Sequence, residues 1–334
     1  MTTNKQYDVV AIGNAIVDVL APTTLEFLAA EGLESGSMRL IDGDAAVALY
    51  GRMGPAREIS GGSAANSLAG LAALGHACAF IGQVADDQLG EVFTHDMRAT
   101  GIAFDVPPMP APPPTARCLI LIAPDGERTM NTALAAAHYL PASAIDEDMI
   151  AGARYLLIEG YLWDAPEPQA AIKRAMAAAK RGGCKVFFAL SALYLMGIYR
   201  DDFLALIADG TIDTLFCNEE EVEALMQTDD LEAAIVALAA QVPTLVVTRG
   251  SKGALAMQGG VRAEVPAEPV VRVVDTTGAG DTFTSGFLAG QLQGKSLADS
   301  LTMGAVCAAE CIGHYGPRPE ADLKALVAHR VGTK

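Results

Sequence analysis

Residues 270–283 read Val270-Val271-Arg272-Val273-Val274-Asp275-Thr276-Thr277-Gly278-Ala279-Gly280-Asp281-Thr282-Phe283. The run 270–274 is β-like, and a helical pattern follows over 282–292. A turn of small residues joins them. Such a turn at a helix start exposes successive backbone N–H groups, and the helix dipole adds partial positive charge. Gly278 and Gly280 let a phosphate approach without a Cβ clash. The stretch therefore reads as an anion hole, set where a strand ends and a helix begins. Asp281 stands at its mouth. A carboxylate repels a phosphate, so Asp281 has two readings: a helix cap, or a base that takes the proton of a hydroxyl nucleophile.

The same strand-then-helix grammar repeats along the chain. Short apolar runs at 7–12, 77–81, 154–158, 186–190, 215–217 and 244–248 read as buried strands. Helical patterns at 64–74, 168–180, 201–208, 219–226 and 231–240 lie among them, and 281–312 is mostly helical and rich in Ala and Gly. This alternation predicts an α/β protein with a mostly parallel sheet. One segment breaks it. Residues 107–114 are Pro-rich, which excludes regular structure. A β-type run at 115–123, the turn signal Pro124-Asp125-Gly126 and a returning run at 127–132 predict a hairpin. A hairpin inserted in a parallel α/β protein lies off the main sheet, as a lid or small second sheet. No repeat period or flexible linker is evident, so 1–334 is expected to be a single domain. Its lid is expected from roughly 14–42 and 101–133.

The chain has 334 residues, 23 Lys+Arg against 40 Asp+Glu, and a net charge of −17. At 51% hydrophobic content it can bury a sizeable core, which excludes disorder as the main state. The acidic field argues against nucleic acid or an anionic membrane as partner, while a local site could still hold an anion. The weakly polar stretch 68–85 is long enough to raise a membrane question. Gly75, His76, Gly82 and Gln83 interrupt it, so a buried helix followed by a strand is expected. No basic segment leading into an apolar core opens the chain, and the expected address is cytoplasmic. Six scattered cysteines form no CxxC pair and suggest no disulfide framework. Cys307, Cys311 and His314 share a helical face, but three groups in an Ala-rich helix read as packing rather than a metal site. Walker, dinucleotide, Gly-x-Ser-x-Gly and His-Glu-x-x-His motifs are all absent, which weakens NAD enzymes, serine hydrolases and zinc proteases.

Other residues carry a plain reading and a functional one. Asn14 and Asp18 follow the first strand, as a turn Asn and a solvated Asp or as acceptors for two vicinal hydroxyls. Gly61-Gly62 before a helix makes a tight turn or admits a ligand to the backbone, and Asn66 could bond a hydroxyl from the first helical turn. Asn218 and Glu221 have the spacing of a capping box. Thr248 to Gly253 closes a strand, with Lys252 as an exposed turn lysine. Arg128 follows the lid turn, where a surface ion pair is its plain reading. Tyr161 and Leu162 end a strand, as core packing or as an apolar slot for a planar base.

Asp-Thr-Thr-Gly-Ala-Gly-Asp-Thr-Phe at 275–283, with Gly61-Gly62-Ser63-Ala64-Ala65-Asn66 upstream, resembles the two signatures of the ribokinase/PfkB carbohydrate kinase family. The resemblance runs in order over nearly the whole chain. It implies a ribokinase-like three-layer sandwich with a small β-lid, and phosphorylation of a primary alcohol by ATP with Mg²⁺. By that resemblance Asp281 is the general base, and Gly278, Ala279 and Gly280 cradle the phosphates. Asn14, Asp18, Gly61, Gly62 and Asn66 bind substrate hydroxyls. Thr248 and Gly253 approach the nucleotide, and Asn218 and Glu221 support Mg²⁺ through water. Asp275 and Thr277 match a monovalent-cation position suited to K⁺. The run Arg128-Thr129-Met130-Asn131, followed by Leu134-Ala135-Ala136-Ala137, resembles the adenosine kinases of that family, whose lid arginine approaches the transferred phosphoryl group. The expected substrate is then a nucleoside, its base covered by Leu134, Tyr161 and Leu162. A ribokinase- or fructokinase-like sugar kinase is the alternative, and a catalytically silent nucleoside-binding protein is the alternative of another class. Monomer and lid-paired homodimer both stand as expected assemblies.

Overall fold

β1 (Val9–Ile12) is buried on both faces, and its side chains alternate between two cores. Val9 and Ala11 join one, Val10 and Ile12 the other. Strands covered on both sides read as unbroken apolar runs, as in parallel sheets. The computed structural model describes residues 6–124 and 126–332. The next strands are β2 (Ile16–Pro22), β3 (Met38–Leu40), β4 (Arg57–Gly61), β5 (Cys78–Ile81), β6 (Ala116–Ile122) and β7 (Arg128–Ala133). After them come β8 (Tyr155–Glu159), β9 (Lys185–Ala189), β10 (Thr214–Asn218), β11 (Thr244–Thr248), β12 (Ala254–Gln258) and β13 (Val261–Val265). The helices are α1 (Leu25–Ala30), α2 (Gly43–Tyr50), α3 (Ser63–Ala73), α4 (Gln88–Ala99), α5 (Glu147–Ala151) and α6 (Pro166–Gly182). They continue with α7 (Leu193–Ala208), α8 (Glu219–Met226), α9 (Leu231–Ala239), α10 (Ala279–Leu292), α11 (Leu297–Cys311) and α12 (Leu323–Val331).

Among the described residues, eight strands form one sheet in the order β13-β12-β11-β10-β9-β8-β1-β5. The strands from β11 to β5 run parallel, and β12 and β13 return antiparallel at one edge. Helices α3, α4, α10, α11 and α12 fill the core on one face, and α5 to α9 fill the core on the other. The fold is therefore the three-layer α/β sandwich of the ribokinase class. Strand order reverses between β1 and β8, and ligands of open α/β sheets bind outside the carboxyl ends of strands at such a point. β1 leads there into Asn14, and β8 ends there on Glu159.

The second sheet, in the order β3-β7-β6-β2-β4, stands over that crevice. β6 and β7 form the expected hairpin, paired from Arg117↔Ala133 to Ile122↔Arg128. Asp125 of its expected turn lies outside the described residues. The boundaries of the small sheet differ from the expected lid in two places. It recruits β4, because β2 pairs antiparallel with Arg57–Gly61. It does not include 101–109. Ile102 and Phe104 are buried in the main core, and Ala103 and Met109 bridge to Ala79 and Ala85.

Two further expectations change. Residues 270–274 form no strand: Val271 is fully exposed and Val273 half exposed. Pro266 and Pro269 lead the chain away from β13, and the N–H groups of Val274 and Asp275 donate to Ile312 O instead (2.8 and 3.4 Å). The helix expected from 201 begins at Leu193 and is broken at Tyr199. The stretch 68–85 divides between α3 and β5, and no helix among the described residues is long and apolar enough to cross a membrane. All six cysteines are buried. Cys311 Sγ donates to Thr277 O (3.2 Å) while His314 pairs with Glu310 (3.2 Å), so these side chains do not converge on a metal.

Candidate active site

A cavity of about 540 Å³ opens between the sheets, within the range of small-molecule sites. Its floor is the start of α10. Gly278 precedes that helix with φ +73° and no side-chain cap. A Cβ there would stand 2.5 Å from Pro317 Cβ, so the turn requires glycine. Nothing lies within 4 Å of where a Cβ would project from Gly280. The first-turn N–H groups of a helix lack intrahelical partners, and Gly278, Ala279 and Gly280 all line the cavity. The floor can therefore receive an anion at close range.

Asp281 occupies the first turn of α10 beside that floor. Ser63 Oγ donates to its Oδ1 (2.6 Å) and Asn66 Nδ2 to its Oδ2 (3.0 Å). Both donors come from the first turns of α3, so the Gly61–Asn66 segment grips the carboxylate. Its backbone carbonyl accepts from Ser67 Oγ (3.1 Å) and Ser285 Oγ (3.0 Å). Gly70 lets the two helices meet, since a Cβ there would fall 2.4 Å from Ser285 Oγ. Burial raises the Asp281 carboxyl above its ordinary value, while Ser63, Asn66 and Arg318 pull it down. A carboxylate so held, with room above it, can accept a proton from an alcohol.

Asp18 on β2 is buried at 6% exposure and faces the cavity. Among the described residues no side chain or backbone group hydrogen-bonds its carboxylate. Gly61 makes room for it, because a Cβ there would fall 2.3 Å from Asp18 Oδ2. Gly61 thus shapes the site without lining it. Burial raises Asp18 to about 7; Arg318 opposes the rise and Asp281 adds to it. A buried carboxylate with free lone pairs is an acceptor for ligand hydroxyls. Asn14 lies beside it, donating from Nδ2 (2.7 Å) and from its backbone N–H (3.2 Å) to Glu159 Oε1. Asn14 Oδ1 is buried without a partner and awaits a donor.

Sequence reasoning did not assign Glu159 and Ser63, which line the cavity, or Arg318, which holds the Ser60–Ala65 turn behind it. Glu159 ends the otherwise apolar β8 at 2% exposure, and its Oε2 accepts the Ala64 N–H (2.9 Å). It joins β1, β8 and the start of α3, and Gly13 accommodates it. An acidic residue closing a buried strand at the switch point was the available signal. Ser63 stood inside the quoted Gly-Gly-Ser string. Arg318 follows α11 in a Pro-rich stretch with no motif to mark it.

Arg128 opens β7 and crosses to the floor. Its guanidinium pairs with Asp275 Oδ1 (2.7 Å) and donates to Thr276 Oγ1 (3.2 Å). The far wall holds Tyr161, Tyr194, Thr248, Asn218 and Glu221. Asn218 and Glu221 form the expected capping box (2.8 and 3.0 Å), and burial raises Glu221 to about 7. Leu162 does not line the cavity; it is 1% exposed in the core below α6 and α7. Gly253 is also outside it. Its φ is +95° and a Cβ would meet Val265 O at 2.0 Å, so it serves the β12–β13 edge. Lys252 is exposed and pairs with Glu219 (2.9 Å).

The sequence model of pfkB family carbohydrate kinases matches residues 50–323. The chain belongs to the PfkB family of carbohydrate kinases. Like other members it is a phosphotransferase with an alcohol group as acceptor. It is similar to a solved adenosine kinase from Sinorhizobium meliloti, with 43% identity, TM-score 0.92, 97% of this chain and 99% of that one covered. A solved probable sugar kinase from Rhizobium etli is also 43% identical, with TM-score 0.93 and 98% and 99% of the two chains covered. The Saccharomyces cerevisiae adenosine kinase is 28% identical over 330 residues, 92% of this chain and 95% of its own. A Klebsiella pneumoniae fructokinase is 31% identical over 73% of this chain and 80% of its own.

The monovalent-cation position implied for this PfkB kinase does not fit its donors. Asp275 Oδ1 forms an ion pair with Arg128 (2.7 Å) and accepts the Thr277 N–H (2.7 Å), and Oδ2 accepts the Gly316 N–H (2.9 Å). The positive charge beside Asp275 is already a guanidinium, with a side-chain exposure of only 10%.

Proposed function

We propose that this kinase transfers the γ-phosphoryl group of ATP to the primary, 5′-type hydroxyl of a nucleoside, with adenosine as the substrate. The observation that carries this reading is the apolar inner face of the small sheet. Ile16, Met38, Leu40, Ile120, Met130 and Leu134 line the cavity above Asp18. Ribose hydroxyls would meet Asp18 and Asn14, while a planar base would rest on that wall and on Tyr161. A free sugar has hydroxyls all round and nothing to place there. The similar Sinorhizobium meliloti protein bears the name adenosine kinase, which supports the reading.

The 5′-oxygen then lies against Asp281. As it attacks the γ-phosphorus in line, its proton passes to Asp281 and the ADP oxygen departs. The N–H groups at 278–280 receive the charge that develops on the phosphoryl oxygens. Arg128 ties the small sheet to that cradle, closes it to water and adds a fixed, forked cation at its rim. Asn218 and Glu221 on the nucleotide wall are suited to hold waters of a Mg²⁺ ion. When bound, Mg²⁺ would neutralise part of the negative charge of the nucleotide phosphates.

A coupled assay of ADP release with adenosine, inosine, ribose and fructose tests the reading. Turnover with nucleosides is expected; turnover confined to free sugars would replace it with a sugar kinase. Ligand-induced thermal stabilisation without ADP release from any alcohol would point to a silent binding protein.

A further inference from the structure

Arg318 does not line the cavity but approaches it from behind. Nε and NH2 donate to Ser60 O (3.1 and 2.8 Å), NH2 also to Ser60 Oγ (2.9 Å), and NH1 to Ala65 O (3.0 Å). Ser60 and Ala65 bracket Gly61, Gly62, Ser63 and Ala64. One planar fork therefore spans the turn that presents Ser63 and Asn66 to Asp281 and makes room for Asp18. A neutral donor could satisfy those carbonyls. Desolvating a guanidinium costs several kcal/mol unless its charge is balanced, yet no carboxylate among the described residues lies within ion-pair distance of it. The acidic groups that feel it through space are Asp18, Asp281 and Asp96. The first two share the cavity and repel one another.

We propose that Arg318 is a positioning residue: it clamps the turn that holds Asp281 and supplies the positive charge that balances Asp18 and Asp281. Burial lowers its own pKa to about 10, so the charge persists at neutral pH. Asp281 is faced by Ser63 and Asn66 from α3 and by Arg318; Glu159 and Tyr161 also feel its charge. Asp18 is faced by Arg318, Arg128, Asp275, Asp281 and Cys118. Arg318 is thus a cation that bears on both carboxylates from behind the substrate surface.

The inference rests on the phosphotransfer reading, and the experiment separates the two. kcat/KM is measured from acid to alkaline pH for the wild type, Arg318→Lys, Arg318→Gln and Arg318→Met, with thermal melts in parallel. The acceptor is adenosine, or whichever free sugar the wild type turns over. Arg318→Gln keeps a donor for the carbonyls and loses the charge. It is expected to move the acid limb upward by about one pH unit, the size of an opposite-charge effect at short range. That is about a tenfold loss on the acid side, and Arg318→Met should do the same. Arg318→Lys should hold the limb near its wild-type position while raising KM. A limb that stays in place in a folded Gln or Met variant, whatever the fall in melting temperature, overturns the inference, because a mere brace does not titrate. A limb displaced equally by Lys overturns it as well. A wild type that turns over no alcohol defeats the phosphotransfer reading itself.

Discussion

Replacing Glu159 by Gln should weaken substrate binding while leaving the fold at least as stable at alkaline pH. Glu159 is 2% exposed, has no ion-pair partner among the described residues, and accepts three N–H bonds, two from Asn14 and one from Ala64. Burial raises its carboxyl from 4.5 to about 7, against hydrogen bonds that pull the other way. The sign follows from linkage. A carboxyl with a raised folded pKa gives stability that is whole below about pH 4.5 and is lost as pH climbs to about 7. The difference of 7 − 4.5 units amounts to roughly 3 kcal/mol at alkaline pH. Gln removes that penalty. Its NH₂ would meet the Ala64 N–H, donor against donor, at a cost of about 1–3 kcal/mol. The two terms nearly cancel at pH 8. At pH 5, where the native carboxyl is protonated, the wild type carries no ionisation penalty, so the donor clash stands alone and the variant lies below the wild type by about 1–3 kcal/mol. Denaturant melts of both proteins at pH 5, 6, 7 and 8 would show a wild type that loses stability across this window and a flatter variant. A neutral amide oxygen at the Oε1 position holds Asn14 more weakly than a carboxylate, which should raise KM for the acceptor alcohol more than it lowers kcat. A variant that parallels the wild type across the window, or falls several kcal/mol below it at pH 8, would refute the claim that Glu159 is an ionisation penalty retained to hold Asn14.

Asp281→Asn keeps partners for Ser63 and Asn66 but cannot take a proton, and turnover should fall about 10²–10⁴-fold with an unchanged melt; near-full activity would remove Asp281 from the mechanism. ATP affinity measured by calorimetry should drop sharply when Mg²⁺ is chelated, because a chain of net charge −17 has only local devices to hold a polyanion. Replacing K⁺ by a bulky organic cation at constant ionic strength should leave turnover unchanged, since Arg128 already occupies Asp275; strong K⁺ activation would show that the pair opens to admit the ion.

The parallel sheet was legible because its strands are buried on both faces, and unbroken apolar runs such as 244–248 have one economical reading. The turn at 278–280 was legible because one of its glycines is forced, as Gly278 is by its positive φ and by Pro317, while the other leaves open space at the helix start. The run 270–274 misled for the converse reason. Its valines satisfy a β-pattern, but pairing depends on a neighbouring strand, and prolines turn this segment away from β13. β4 could not be assigned to the small sheet beforehand, because Arg57–Gly61 is short and half polar and is fixed by its partner β2. Leu162 and Tyr161 are neighbours of similar character, and only the turn after β8 decides that Tyr161 lines the cavity and Leu162 the core. Arg318 was illegible because the role proposed for it depends on a contact in space, with Ser60 258 residues away, and no local pattern marks it.

The acidity of the chain then acquires a more specific meaning at the site. Asp18, Glu159, Glu221 and Asp281 are four carboxyls around one cavity, and burial raises every one of them. Such a cluster repels the nucleotide that the reaction needs, unless each carboxyl is assigned to a neutral partner. Glu159 is taken up by amides and Glu221 by a helix start, while Asp18 and Asp281 face the cavity where ligand hydroxyls would stand. The two guanidiniums are divided in the same way. Arg128 pairs with Asp275 at the phosphate rim, and Arg318 is held by backbone carbonyls behind the hydroxyl side, with no ion pair among the described residues. Charge is thereby segregated along the cavity, with neutral amides and a fixed cation where a phosphate would lie and carboxylates where alcohols would lie. An in-line transfer between an alcohol and a polyanion requires that separation, and net charge alone could not reveal it.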